Sequence, residues 1–311
     1  MRILKGLGAV RRAPVRAVAT VGVFDGVHVA HQRLIRSTVR LARRLCGTAI
    51  VVTFDPDPQV ILSPSTVPPA LMPLEERLHH LAVLGVDWVW VIPFTARFAQ
   101  TTAEQFVRRI LVERLRATTL IVGERFVFGN NRRGNLRMLR TFGATHGLRV
   151  VPVPSVRRSG RLVSSSRIRR LIGQGQLAAA KRLLGYPPTL YGTVVRGAGR
   201  GKHLGVPTAN VQLVPQILPP QGVYAVTAVV GTRRRAGAMN FGTRPTFGPG
   251  PLVCEVHLLE FSGALNGQPI ALELLTRLRR ERCFDSPEAL VRQVRRDLAR
   301  TRQLFARQAQ R

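Results

Sequence analysis

Two histidines, His28 and His31, lie three residues apart where a predicted strand and a tight turn give way to a helix. At that spacing both imidazoles can point into the space above the end of the strand. A helix N-terminus there offers unpaired N–H groups to a phosphate. Imidazoles and N–H groups together can stabilise the charge that develops on an α-phosphate during in-line displacement, a reaction that needs no protein nucleophile. Taken alone, the pair more often marks an ordinary surface helix.

Three consecutive serines, Ser164, Ser165 and Ser166, open another predicted helix, and Arg169 follows one turn later. Hydroxyls and N–H groups at a helix start, joined by an arginine, form a suitable clamp for a phosphate. An ordinary helix cap followed by a surface arginine explains the same residues about equally well. The histidine pair upstream makes the phosphate clamp the preferred interpretation.

Gly197 and Gly199 belong to a stretch of four glycines that also contains Lys202. Glycine backbone can wrap closely around phosphates, and the lysine adds positive charge. A glycine-rich turn between strands is usually only a turn. Just downstream, Thr208 and Asn210 supply a hydroxyl and an amide oxygen, the hard ligands that suit Mg²⁺. The Thr-x-Asn pattern is also common in barrel turns, so it is not decisive alone.

Glu255 stands in an alternating run, residues 252–259, which predicts a strand. The alternation places its carboxylate on the face opposite Cys254, Val256 and Leu258. A positioned carboxylate can act as a general base for a hydroxyl that is a poor nucleophile. A single glutamate in a strand is more often a solvated outer residue.

The chain is strongly basic, with 48 lysines and arginines against 16 aspartates and glutamates and a formal net charge of +32. Such a charge attracts phosphates, and weak nonspecific binding of polyanions is expected. However, only three of the basic residues are lysines, and the arginines are spread along the whole sequence. This distribution indicates a solvated surface rather than a specific nucleic-acid interface.

Three widely spaced cysteines, Cys46, Cys254 and Cys283, offer neither a zinc spacing nor a complete set of disulfides, which favours the reduced cytoplasm. The N-terminus lacks the apolar run of a signal peptide. The longest apolar stretch, residues 81–94, is interrupted by Asp87 and Pro93, so no membrane span is expected.

The first half of the chain alternates short apolar runs with helical patterns, which predicts a doubly wound parallel sheet. The predicted strands are residues 17–23, 48–54, 88–92, 119–122 and 149–153. The predicted helices between them are residues 31–45, 73–84, 103–114 and 136–146, and two short helices are expected within residues 166–184.

A Gly-Tyr-Pro-Pro segment at residues 185–188 predicts the boundary between a domain of residues 1–185 and one of residues 186–311. The second domain is predicted to be a small antiparallel β-barrel. Its predicted strands are residues 190–195, 222–230, 235–241, 252–259 and 270–278. A last helix begins near residues 285–288 and carries Leu290, Val294, Leu298 and Thr301 on one apolar stripe.

The segment TVGVFDGVHVAHQ resembles the HxGH signature of the nucleotidylyltransferases, in the form seen in bacterial bifunctional riboflavin kinase/FMN adenylyltransferases, or FAD synthetases. Further segments resemble that family's motifs in the family's order: residues 53–58, 93–107, 122–129, 164–169, 191–211, 239–247, 254–261 and 278–286. The resemblance extends roughly from residue 18 to residue 298.

This resemblance implies an enzyme that phosphorylates riboflavin with Mg-ATP to FMN and then adenylylates FMN with ATP to FAD, releasing pyrophosphate. The implied catalytic residues are His28, His31 and Glu255. The implied nucleotide-binding residues are Phe24, Asp25, Gly26, Ser164, Ser165, Ser166, Arg169, Gly197, Gly199, Lys202, Thr208 and Asn210, of which Thr208 and Asn210 also bind Mg²⁺. The implied flavin-binding residues are Phe126, Phe128, Arg279 and Phe284. The implied partners are small molecules, and the oligomeric state stays open.

Three residues depart from the family's pattern. Ala30 replaces the glycine between the histidines, Asp57 replaces the histidine of the TFxPHP motif, and Arg125 stands where an aspartate or asparagine is usual. Two alternatives therefore remain: a riboflavin kinase with an impaired adenylyltransferase domain, and a basic polyanion-binding protein on a retired enzyme scaffold. Because a helix is expected to begin near Ala30, we expect a negative φ there and a working but slower adenylyltransferase.

Overall fold

The computed structural model describes residues 1–197, 206–243 and 251–309. Gly199 and Lys202, both predicted to bind nucleotide, lie outside these residues. The chain divides into two compact units, residues 1–69 with 74–165 and residues 70–73 with 166–311.

The first unit is built on a six-stranded sheet, in which every strand pair is parallel. Its strands are β1 (Arg2–Lys5), β2 (Ala17–Val21), β3 (Ala49–Asp55), β4 (Trp88–Pro93), β5 (Ala117–Gly123) and β6 (Arg149–Val153), in the spatial order β1-β4-β3-β2-β5-β6. A small hairpin, β7 (Arg157–Arg158) and β8 (Arg161–Leu162), follows it. The predicted parallel sheet is confirmed.

Both faces of this sheet are covered, as the uninterrupted apolar runs of its central strands require. Ala17, Ala19 and Val21 belong to one hydrophobic cluster, whereas Val18 packs with Ala42 of the first long helix in another. The helices are α1 (Val29–Arg44), α2 (Pro58–Leu62), α3 (Leu74–Val83), α4 (Ala96–Ala99), α5 (Ala103–Gln105) and α6 (Leu136–Thr145). Alternate residues of one strand therefore face opposite cores, which makes the sheet doubly wound.

Two details differ from the prediction. Strand β1 was not predicted, because of its four residues only Leu4 is buried and the segment has no clear alternation. The predicted helix of residues 103–114 is helical throughout, but from Phe106 to Arg114 it is a π-helix. Its buried residues Phe106, Val107, Ile110 and Leu111 are spaced in a way that fits either kind of helix, so periodicity does not separate them.

The second unit contains α7 (Ser165–Gly173, beginning one residue before the unit), α8 (Leu177–Leu184) and a closed antiparallel barrel. The barrel strands are β9 (Thr189–Val195), β10 (Ala209–Leu213), β11 (Gly222–Val230), β12 (Arg233–Gly242), β13 (Val253–Leu258) and β14 (Pro269–Arg279), in the order β10-β13-β12-β11-β14-β9. The barrel is confirmed, although β10 was not predicted as a strand.

The last helix of the described residues is α9 (Pro287–Ala309), which packs on the outside of the barrel. Val294 and Leu298 of its predicted apolar stripe lie against Ala236 and Ala238 of β12. Thr301 is fully buried and donates a hydrogen bond to the Asp297 carbonyl oxygen. Among the described residues, no helix combines the length and apolar composition that crossing a membrane requires.

Candidate active sites

The turn after β2 has an unusual backbone. Phe24, Gly26 and Val27 have positive φ angles of 57°, 77° and 28°. Glycine adopts such angles freely, but for phenylalanine and above all for β-branched valine they are strained, at a cost of roughly 1–3 kcal/mol each. Such a turn persists only where the surrounding structure holds it.

Four side chains from different parts of the first unit hold this turn through its carbonyl oxygens. Thr53 Oγ1 and Arg77 Nη1 both donate to the Val23 carbonyl, at 3.1 Å and 2.9 Å. Ser165 Oγ donates to the Asp25 carbonyl at 3.0 Å, and Gln32 Nε2 donates to the Val27 carbonyl at 2.9 Å. The donors come from β3, α3, α1 and the start of α7.

The turn leads directly into the histidine pair. His28 is the N-cap of α1, and its Nδ1 accepts a hydrogen bond from the His31 backbone N–H at 3.3 Å. The two imidazoles stack with centroids 3.6 Å apart, and Phe24 meets His31 edge-on at 5.3 Å. The structure thus brings the two predicted catalytic histidines together at a helix N-terminus.

His31 is held in its neutral form. Burial, followed by the neighbouring His28 and Arg77, lowers its pKa well below the usual value. Its Nδ1 is buried and makes no hydrogen bond with any described residue. A neutral imidazole carries one N–H donor and one acceptor nitrogen, so its unused ring nitrogen is available for a hydrogen bond with a ligand.

The predicted phosphate clamp is only partly placed within the first unit. Ser164 and Ser165 belong to this unit, and the Ser165 hydroxyl is bonded to the turn as described above. Ser166 and Arg169 belong to the second unit, where Ser166 is exposed and Arg169 is half-buried on α7.

The two predicted flavin-binding phenylalanines of the first unit lie side by side. Phe126 and Phe128 stack with centroids 5.3 Å apart and an interplanar angle of 12°. Phe128 also contacts Phe106 at 5.7 Å, and both predicted residues remain half-buried. Any side chain at Gly134 would overlap the Phe128 ring. The result is a packed aromatic surface of the kind on which a flat ring can stack.

On the barrel, strand register creates a row of three polar residues. Glu255 on β13 is paired directly with Asn210 on β10 and with Asn240 on β12. Directly paired residues of antiparallel strands project from the same face. Cys254 and Val256 are buried in the barrel core, so the row lies on the outer face, as predicted for Glu255.

Two neighbouring residues shape the end of this row. Any side chain at Gly197 would overlap the Asn210 amide, so glycine allows the backbone to approach it closely. His257, two residues beyond Glu255, bonds through Nδ1 to the Pro207 carbonyl at 2.7 Å, which braces the backbone just before Thr208. Thr208 is half-buried at the start of β10.

The predicted flavin-binding residues of the second unit also lie together. The Arg279 guanidinium is 5.5 Å from the Phe284 ring centroid, and Arg282 is 4.7 Å from it. Arg279 Nε donates to Asp297 Oδ2 at 2.9 Å, and Gln293 Nε2 donates to the other Asp297 oxygen at 2.9 Å. Helix α9 therefore anchors Arg279 beside the aromatic ring.

Comparison with known proteins agrees with both halves of this arrangement. Residues 10–167 match the family model described as FAD synthetase, and residues 184–305 match the one described as riboflavin kinase. The chain is 36% identical over 307 residues to the bifunctional riboflavin kinase/FMN adenylyltransferase of Escherichia coli (strain K12), covering 98% of each chain. It is also 36% identical over 312 residues to the protein of that name from Pseudomonas fluorescens, covering 100% of each.

The chain belongs to the bifunctional riboflavin kinase/FMN adenylyltransferase family. A crystal structure from Streptococcus pneumoniae, described as that of a macrolide-efflux protein, has the same fold with a TM-score of 0.85. It is 29% identical in sequence, and the match covers 97% of this chain and 99% of that one.

The three departures from the family's pattern have plain structural settings. Ala30 is the second residue of α1, so its backbone is helical and its φ is negative, as expected. Asp57 caps α2, its Oδ1 accepting from the Gln59 N–H at 2.9 Å. Arg125 is exposed beside Phe126.

Three residues near the two candidate sites were not singled out from the sequence. Arg77 lies on the apolar face of α3 between Leu74, Leu78 and Leu81, and an arginine at such a position was a usable signal. Asn240 and His257 stand inside matching segments, but their placement beside Glu255 and before Thr208 depends on strand register, which the sequence does not reveal.

Proposed function

We propose that each half of the chain catalyses one step of flavin coenzyme synthesis. The barrel unit transfers the γ-phosphoryl group of ATP to riboflavin, giving FMN and ADP. The sheet unit then transfers AMP from ATP to FMN, giving FAD and pyrophosphate. One observation carries the proposal: the same chain holds a histidine pair directly after a strained turn and a Glu255–Asn210 pair. The first lies within residues 10–167 and the second within residues 184–305, the spans that match the two family models.

In the kinase step, Glu255 accepts the proton of the terminal ribityl hydroxyl while that oxygen attacks the γ-phosphorus. The new O–P bond forms as the bond to the β,γ-bridging oxygen breaks, and ADP leaves. Asn240 is placed beside Glu255 and can orient the carboxylate or the incoming hydroxyl.

The residues at the end of the polar row fit a magnesium ion. Within the described residues, no three His, Cys, Asp or Glu side chains cluster as a metal site would require. The Thr208 hydroxyl and the Asn210 amide oxygen are hard oxygen donors, and the absence of a side chain at Gly197 lets the backbone approach the Asn210 amide closely. When bound there, Mg²⁺ would neutralise charge on the nucleotide phosphates.

In the adenylyl transfer step, a phosphate oxygen of FMN attacks the α-phosphorus of ATP and pyrophosphate leaves. His28 and His31 donate hydrogen bonds to the α-phosphate, aided by free N–H groups at the start of α1. With its pKa lowered by burial, the His31 ring still has one N–H that can donate to the phosphate. Ser164 and Ser165 of the same unit serve the phosphates of ATP.

The flavin ring has a candidate surface in each half. Phe126 and Phe128 offer a stacked aromatic face to FMN in the sheet unit. Arg279 and Phe284 offer a cation and a ring to riboflavin in the barrel unit.

Cys46, Cys254 and Cys283 are thiols, and burial raises the pKa of Cys254 to about 12. Unbridged thiols suit the reduced cytoplasm.

The structure gives little support to the alternative of an impaired adenylyltransferase domain. Alanine is favoured over glycine inside a helix, so Ala30 is compatible with α1. Asp57 has a capping role of its own and Arg125 points to solvent. The polyanion-binding alternative rests on net charge alone.

The test is to incubate the purified chain with riboflavin, Mg²⁺ and ATP and to separate the flavins by chromatography. We expect FMN to appear first and FAD to follow. FMN without FAD would favour the kinase-only alternative, and no turnover would favour the retired scaffold.

A further inference from the structure

A buried arginine lies beneath the turn that carries the histidine pair. Arg77 is 6% exposed, and its Nη1 donates to the Val23 carbonyl at 2.9 Å. The same nitrogen lies 3.4 Å from Thr53 Oγ1 and 3.4 Å from the Phe54 carbonyl oxygen. One guanidinium thus connects helix α3 with the ends of strands β2 and β3.

Arg77 is charged, yet it makes no ion pair with any described carboxylate. Burial lowers its pKa, and the nearby carboxylates oppose that effect at longer range, Asp25 most strongly and then Asp57, Asp55 and Glu75. Its Nε is buried and has no hydrogen-bond partner among the described residues. A buried cation held only by backbone and hydroxyl oxygens is costly. If position 77 served only to pack α3 against the core, leucine would stabilise the fold more than arginine does.

The position of the guanidinium gives this arginine a role at the turn. The Val23 carbonyl immediately precedes Phe24, the first residue of the turn with a positive φ. Arg77 and Thr53 both hold that carbonyl, so they act where the chain leaves the extended conformation. Of the four side chains that hold the turn, only Arg77 carries a charge, and charge-assisted hydrogen bonds are the stronger kind.

We propose that Arg77 is a positioning residue for adenylyl transfer, which fixes the Phe24–Val27 turn and thereby the placement of His28 and His31. It touches neither FMN nor ATP. This inference rests on the proposed adenylyltransferase activity of the first unit and adds the element that keeps its histidines in place.

The test uses three variants of the full chain. Arg77→Met keeps length and removes charge and donors, while Arg77→Lys keeps the charge but loses the planar fork. Arg43→Met is the matched control, since Arg43 is an exposed arginine of the same unit that pairs with Asp87, away from the turn. Each is assayed for FAD formation from FMN and ATP, for FMN formation from riboflavin, and for thermal unfolding.

We expect Arg77→Met to lower the kcat of FAD formation on the order of 100-fold, the usual effect of displacing reacting groups by about 1 Å. KM for ATP and FMN should change severalfold or less, and FMN formation should be retained. Arg77→Lys should recover part of the lost kcat, and Arg43→Met should be unchanged. If Arg77→Met makes FAD at the parental kcat, or only loses thermal stability, the inference is wrong.

A second measurement does not depend on turnover. Besides burial, two neighbouring groups lower the pKa of His31, namely His28 and Arg77. The charged groups around Arg77 itself are the carboxylates of Asp25, Asp57, Asp55 and Glu75. Removing the positive charge of Arg77 should raise the pKa of His31, and Arg77→Lys should not. Histidine NMR titration of the parent and both variants measures this directly.

A failure of the proposed function can be distinguished from a failure of the inference about Arg77. A parent chain that makes no FAD contradicts the proposed function, and the NMR titration then still decides whether Arg77 controls the histidine pair. An unchanged His31 resonance and titration in Arg77→Met overturns the inference. If Arg77→Met does not fold, Arg77→Lys decides: parental kcat for FAD formation would contradict it.

Discussion

The two candidate sites are built in opposite ways. The first depends on a turn with three positive φ angles, held by side chains from four separate elements. The second depends on regular antiparallel register, which alone places Asn210, Glu255 and Asn240 in one row. A site made by register needs few supporting residues, whereas a site on strained backbone is only as accurate as the packing behind it.

The largest effect expected from this comparison is at Glu255. Glu255→Gln keeps the shape of the side chain and the strand but removes the base, so FMN formation should fall by about 10²–10⁴-fold. Conversion of supplied FMN to FAD should continue. Rates of both reactions are measured by flavin chromatography.

Glu273→Gln is the matched control, because Glu273 is also a barrel-strand glutamate but pairs with Arg234. It should leave both reactions unchanged. Parental FMN formation by Glu255→Gln would show that another group is the base.

A smaller effect is expected at the neighbouring position of the row. Asn210→Ala removes one proposed magnesium–nucleotide contact, and losing a polar contact of about 1–3 kcal/mol lowers kcat/KM for Mg-ATP by roughly 10–100-fold. The loss should be partly relieved by raised Mg²⁺, and FAD formation from FMN should persist. Gln212→Ala, exposed on the same strand, is the control. An equal fall in both activities would mean that Asn210 supports folding instead.

The smallest effect concerns Ala30 at the other site. Because Ala30 lies inside α1, Ala30→Gly should lower the free energy of unfolding by about 0.5–1 kcal/mol without raising the rate of FAD formation. Denaturant unfolding and the FAD assay measure the two quantities. Ala299→Gly, at an exposed position of α9, controls for helix propensity. A severalfold faster Ala30→Gly would show that the methyl group hinders the nucleotide.

The same contrast explains what could be predicted from sequence. Alternation along β13 correctly predicted that Glu255 faces away from Cys254 and Val256, since period 2 is a local property. The apolar runs predicted five of the six parallel strands for the same reason. Strand β1 was not predicted, because an edge strand with one buried residue shows no alternation of buried and exposed positions.

Features that depend on long-range packing could not be predicted. Arg77 reaches the Val23 carbonyl across 54 positions of sequence, and nothing local specifies that bond. The pairing of Asn240 with Glu255 required the register of β12 and β13. A tight turn before the histidine pair was predicted, but its strain at Val27 was not.

The central claim, two separate active sites on one chain, is tested most directly by complementation. His28→Asn/His31→Gln keeps a good helix cap and should convert riboflavin only to FMN, whereas Glu255→Gln should convert only supplied FMN to FAD. Mixed in equal amounts with riboflavin, Mg²⁺ and ATP, the two variants should restore FAD. A mixture that makes no FAD, while each variant retains its single reaction, would contradict the account.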